Sequence, residues 1–117
     1  MIIDITEQNF DEEVIESEIP VFVCFTTDWC HSCFPTCLLA KELAKEYDGS
    51  IKFVRLDTER SPEVAKRFHI IAVPTIILFQ NAQPMKRLLG FQYRSWMKAL
   101  LDIALARNNE ATVPIPE

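Results

Sequence analysis

An apolar, β-rich run, Val21 to Thr26, gives way over a short junction to a helical period, and that junction reads Trp29-Cys30-His31-Ser32-Cys33. A strand that enters a helix so directly commits the chain to layers of helix on sheet. It also places two thiols beside a helix N-terminus, where a partial positive charge and unpaired N–H groups favour thiolate over thiol. Cys30 is therefore read as a nucleophile. Cys33 lies one helical turn on and on the same face, so the pair can close into a disulfide or open to a dithiol.

The rest of the chain extends this α/β reading. Ile2 to Thr6 is predicted as a strand, and Phe10, Val14 and Ile15 as the apolar side of an acidic amphipathic helix ending before Pro20. Beyond the cysteines, Thr36, Leu39, Ala40, Leu43, Ala44 and Tyr47 recur at helical spacing, and Asp48-Gly49 supplies a stop. Ile51 to Leu56 is the third strand. Ser61-Pro62-Glu63 opens a helix to about Phe68, with Ser61 as its capping side chain. Val73-Pro74-Thr75 leads into the strand Ile76 to Phe79, Asn81-Ala82 makes a turn, and Met85 to Leu89 returns as a hairpin ended by Gly90. A final helix is expected with Trp96, Leu100 and Ile103 as its core stripe, fading at Arg107-Asn108-Asn109. The order β α β α β α β β α implies a mixed sheet of about five strands with about four helices on its two faces. Residues 1–108 are read as one domain and 109–117 as a C-terminal tail.

With 117 residues, a net charge of −5 and a pI near 5.0, the chain lacks the basic field that nucleic acid or an anionic membrane surface demands. Met1-Ile2-Ile3-Asp4 does not read as a secretory signal, and the longest apolar run, Ile70 to Phe79, is too short to span a bilayer. A cytoplasmic, monomeric protein is expected. The four cysteines cluster between positions 24 and 37 instead of being spread as a stapling framework.

Trp29-Cys30-x-x-Cys33, Val73-Pro74-Thr75, Phe79-x-Asn81 and Gly90 stand in the order and spacing of the thioredoxin family, and residues 2 to 106 resemble it. The resemblance implies the thioredoxin fold and a thiol–disulfide oxidoreductase. Cys30 would attack, Cys33 would resolve the mixed disulfide, and Pro74 would be a cis-proline beside the pair. Val73, Pro74 and Gly90 would line a groove for an extended substrate segment, and Trp29 would shield the thiols. The implied partners are protein disulfides and a flavoprotein thioredoxin reductase or another dithiol donor, with no bound cofactor and no metal.

Departures from the family pattern mark the modulating residues. Cys24 occupies the place of a buried aspartate, and Arg55 that of the lysine facing it. Thr26 replaces the family's second motif tryptophan, and Leu38 its helix-kinking proline, although Pro35 lies in the first turn. The usual Gly-Pro between the cysteines is His31-Ser32, a change expected to make the couple more oxidising.

Alternatives stand beside these readings. Cys24 reads as a small core hydrophobe on its strand. Cys37 is about 5 to 6 Å from Cys33 at Cβ, too far for direct pairing within a helix, and carries a regulatory or intermolecular disulfide as its sharper reading. His31 is either a solvated loop residue or a thiolate-stabilising cation. Asp28 reads as a solvated turn acid, with tuning of the site as its sharper reading; Arg55 reads as the partner of a carboxylate or as a snorkelling strand-end residue, and His69 as a helix-end surface residue. The competing functions are a thioredoxin-fold partner-binding module with a dispensable redox pair, and a metal or iron–sulfur site on Cys24, Cys30, Cys33 and Cys37. The latter is disfavoured because strand-borne Cys24 is expected to point away from the helix.

Overall fold

The computed structural model describes residues 1–109. Its strands are β1 (Ile2–Ile5), β2 (Val21–Thr26), β3 (Lys52–Asp57), β4 (Thr75–Gln80) and β5 (Gln83–Leu89), and its α-helices are α1 (Cys33–Glu46), α2 (Pro62–Arg67) and α3 (Arg94–Asn109). One five-stranded sheet runs in the order β1-β3-β2-β4-β5. β1, β3 and β2 are parallel, and β4 and β5 are antiparallel additions. The expected mixed sheet is present. The tail read over 109–117 lies, from residue 110 onward, outside the described residues.

β2 sits at the centre, so all six of its residues are buried and its period-two alternation feeds two cores. Phe22 and Cys24 pack with Ala40, Leu43, Met97 and Leu101 beneath α1 and α3. Val21, Val23 and Phe25 pack on the opposite face with Phe10, Val14 and Val64. The edge strand β5 carries Pro84, Lys86 and Arg87, residues that discourage further strand pairing, and a bulge falls between Leu78 and Phe79. Asn81 and Ala82 both adopt left-handed backbone conformations, φ 54° and 66°, which give the tight hairpin turn its twist.

Three local expectations require correction. The first helix is a single π-helical turn, Asp11–Ile15, closed by the bond from Glu16 N–H to the Asp11 carbonyl. Phe10 and Val14 are buried in the core and Ile15 packs partly buried against it, as expected of the apolar side, while the acids stay outside. Ser61 makes no side-chain cap on α2: its hydroxyl accepts the Glu7 N–H at 3.1 Å, tying α2 to the chain after β1 instead. In α3 the buried stripe is Met97, Leu101 and Ala104; of the expected residues Leu100 packs partly buried against the core, while Trp96 and Ile103 are 63% and 58% exposed. Two adjacent apolar stripes share the i, i+4, i+7 spacing in this helix, and periodicity alone does not rank them. The one chosen by the fold lets Gln80 donate to the Ala104 carbonyl in the interior.

Candidate active site

The parallel β2 delivers the chain to the sheet's C-terminal edge, and a turn over residues 27–32 redirects it into α1. The Cys30 N–H bonds to the Thr27 carbonyl and the Cys33 N–H to the Cys30 carbonyl, so the junction is folded tightly onto the helix start. Cys30 and Cys33 are joined as a disulfide with Cα atoms 5.3 Å apart. Cys30 is half-buried, whereas Cys33 is only 3% exposed and lies under the first turn. The Ser32 hydroxyl is 3.6 Å from the Cys30 sulfur, and His31 is exposed. Of the two residues between the cysteines, Ser32 therefore has the direct contact.

The junction is held from outside. Asp28 pairs with Arg60 at 2.8 Å, and the Trp29 indole N–H donates to the Glu59 carboxylate. Asp57 fixes that second loop by accepting the Glu59 and Arg60 N–H groups at 2.8 and 3.1 Å. Asp28 is the solvated turn acid expected, and from that exposed position it also pairs with Arg60. Trp29 is anchored at its polar edge with its ring largely open to solvent. Glu59 and Arg60 were not singled out from sequence, because their role depends on two loops meeting across the sheet edge.

Below the junction is a cleft of about 300 Å³ that Cys30, Cys33, Cys37, Arg55 and Thr27 help to line. The Thr27 hydroxyl is buried there and has no hydrogen-bond partner among the described residues. Val73, Pro74 and Gly90 do not line this cleft; Pro74 is buried, and Val73 and Gly90 are half-buried. The Val73–Pro74 peptide is cis, and the Gly90 N–H bonds to the Pro74 carbonyl at 2.8 Å, so these landmarks form one unit at the start of β4. Gly90 has φ 74°, a left-handed backbone that favours glycine.

Cys24 departs from its expected direction. Its sulfur faces α1 and lies 3.8 Å from the Cys37 sulfur. Arg55 is its register partner on β3, and Asp4 is the partner of Arg55 on β1. Arg55 donates two hydrogen bonds to the Asp4 carboxylate, at 2.7 and 3.0 Å, so of its two expected readings the carboxylate pairing holds, from a position inside β3 and not at its end. The hydrogen bond from Cys24 lowers the Cys37 thiol to about 7, helped by Arg55 and opposed by burial and Asp4. The same bond, followed by burial, raises Cys24 well above the ordinary thiol value. The four sulfurs are divided into two pairs, and no group of three or more His, Cys, Asp or Glu side chains is placed to hold a metal ion among the described residues.

A half-buried cysteine joined to a buried one in a disulfide at a strand-to-helix junction defines a thiol–disulfide exchange protein. The family model for thioredoxin matches residues 1–102. A thioredoxin of Staphylococcus haemolyticus is 34% identical over 101 residues, covering 86% of this chain and 95% of that protein. Thioredoxin 1 of Nostoc sp. is 34% identical over 86 residues, 74% of this chain and 80% of that protein. A bifunctional thioredoxin reductase/thioredoxin of Mycobacterium leprae is 36% identical over 88 residues; these cover 75% of this chain and 19% of that longer protein. The chain belongs to the thioredoxin family and is a thiol–disulfide oxidoreductase built on the Cys30/Cys33 couple.

Proposed function

We propose that Cys30 is the attacking thiolate and Cys33 the resolving thiol in the reduction of protein disulfides. The difference in exposure between the two sulfurs carries this reading: a bulky disulfide meets half-buried Cys30 first, while Cys33 is covered by the helix it begins. The Cys30 thiolate attacks one substrate sulfur, and the other leaves as a thiolate. Cys33 then loses its proton and attacks the Cys30 sulfur, forming Cys30–Cys33 and releasing the second substrate thiolate. Two electrons pass to the substrate, and a flavoprotein thioredoxin reductase or another dithiol donor returns them.

Trp29, Val73, Pro74 and Gly90 form the substrate-binding set. Support comes from the Gly90–Pro74 hydrogen bond, which joins two of them, and from exposed Trp29, Ile71 and Phe91, which offer apolar contact area. His31, Ser32, Cys24 and Arg55 tune the couple. The Ser32 hydroxyl supplies a hydrogen bond to a Cys30 thiolate, and exposed His31 adds positive charge when protonated. Among the described residues no helix is long and apolar enough to cross a membrane, and we place the reaction in the cytoplasm, on a monomer.

Labelling order tests the assignment. Iodoacetamide at neutral pH should modify Cys30 first in the reduced protein. Faster modification of Cys33 or Cys37 would overturn it. Were the fold only a partner-binding module, Cys30→Ser/Cys33→Ser would keep full function, whereas this reading predicts its loss.

A further inference from the structure

The second pair of sulfurs exchanges no electrons in the chemistry above, although Cys24 tunes it. Alternation along β2 turns Cys24 toward α1, and the register aligns it with Arg55 and Asp4 across three neighbouring strands. α1 passes over this row, and Cys37, one turn beyond Cys33, meets Cys24 from above. The two residues are 13 apart in sequence, so only the folded chain joins them. Cys24 has no solvent exposure, but Cys37 is half-buried and lines both the cleft below the junction and a neighbouring one of about 250 Å³.

We propose that Cys24 and Cys37 form a second dithiol–disulfide couple, in which Cys37 reacts with a small hydroperoxide and Cys24 resolves the product. A half-buried sulfur in a cleft of this size admits a small polar oxidant but not the disulfide of a folded protein. The cleft also supplies a polar group for such a molecule, the Arg55 guanidinium. Arg55 is held in place by its paired bonds to Asp4, and its charge favours both a Cys37 thiolate and a departing oxyanion.

The atoms balance as follows. The Cys37 thiolate attacks one peroxide oxygen; an S–O bond forms, the O–O bond breaks, and the leaving oxygen takes a proton to become water or an alcohol. Cys37 is then a sulfenic acid. The Cys24 sulfur attacks the Cys37 sulfur, the S–O bond breaks, and the departing hydroxide combines with the Cys24 proton as water. Two thiols and one hydroperoxide yield one disulfide, one water, and one further water or alcohol. From 3.8 Å the sulfurs must approach to a bond of about 2.0 Å, and rotation about either Cα–Cβ bond sweeps a sulfur through more than that difference.

The test uses the full chain with Cys30→Ser/Cys33→Ser, so that the first couple contributes nothing and failure here leaves the proposed reduction mechanism untouched. The reduced protein is treated with hydrogen peroxide, unfolded, alkylated and mapped without reductant. Loss of two hydrogens and a peptide joining Cys24 to Cys37 are expected. Arg55→Gln in this background should slow the oxidation about tenfold at pH 7. Adding Cys24→Ser should leave a Cys37 sulfenic acid that dimedone traps; should that variant not fold, the mapping result decides alone. Both thiols remaining alkylatable would overturn the proposal. So would Cys37 proceeding to a sulfinic acid or an intermolecular dimer while Cys24 stays free.

Discussion

Two thiol pairs are built from the same strand–helix unit, one at the junction of β2 with α1 and one beneath it, and they differ in what brings them together. Cys30 and Cys33 are three residues apart, and the turn between them closes the pair locally. Cys24 and Cys37 are joined by sheet register and by the packing of α1 on β2. Exposure separates them too: the junction pair opens at the molecular surface, whereas the lower pair has one sulfur in the core and one in a cleft. Local closure suits a couple that must meet large substrates. Tertiary closure makes a couple that exists only while the fold is intact.

The largest expected contrast is in turnover. Cys30→Ser should reduce protein-disulfide reduction to the background rate, while Cys37→Ser should change it by no more than about twofold, since Cys37 exchanges nothing with the substrate in this account. A comparable loss in both variants, measured with a model disulfide and a dithiol donor, would merge the two pairs into one machine.

Cys24→Asp sharpens the contrast differently. It removes the lower couple and installs a carboxylate beside Arg55, which should accept the proton that Cys33 releases and accelerate resolution of the mixed disulfide near neutral pH. Burial of the acid in place of a fully buried thiol should cost about 2 kcal/mol of stability, read from denaturant midpoints. Stopped-flow resolution that is equal or slower, with the fold intact, would make water the acceptor and Cys24 a spectator of that step.

A smaller effect is the pH dependence of stability in the reduced protein. The hydrogen bond from Cys24, with help from Arg55 and against burial and Asp4, places the folded Cys37 near 7, below the ordinary 9.0. The unfolded thiol therefore keeps its proton where the folded one has lost it. This stabilisation is complete above about pH 9 and disappears as pH falls through about 7. The raised Cys24 acts in the opposite sense only above its unfolded value. Stability should rise from pH 7 to 9, and Cys37→Ser should flatten that rise in chemical denaturation curves.

The smallest effect concerns the junction alone. Replacing His31-Ser32 by Gly-Pro should lower the Cys30/Cys33 potential by tens of millivolts, since 30 mV corresponds to about 1.4 kcal/mol, the scale of one altered polar contact. An unchanged or higher potential in glutathione buffers would remove the tuning role from the Ser32 hydroxyl and His31.

The same distinction between local and tertiary structure explains what the sequence disclosed. Val21–Thr26 was legible as a strand because an unbroken apolar run suits burial on both faces, and the Cys30–Cys33 pair because its spacing closes within one turn. Gly90 and Asn81-Ala82 were legible as punctuation, and all three adopt left-handed backbone. The facing of Cys24 toward Cys37 was not legible, because it follows from the height at which α1 crosses the sheet. Ser61 had the right residue type for a cap, but a tertiary partner, the Glu7 N–H, took its hydroxyl. In α3, Trp96 fits a core stripe by spacing, yet the packing selects Met97 one position on and leaves Trp96 beside Tyr93 on the surface, ring centroids 5.8 Å apart.

The division of labour between the two pairs is tested most directly by trapping. Cys33→Ser removes the resolving thiol, so a protein disulfide offered to the reduced variant should remain attached through a mixed disulfide. Peptide mapping should find the adduct on Cys30, with Cys24 and Cys37 free of substrate. An adduct on Cys37, or none on Cys30, would contradict the account.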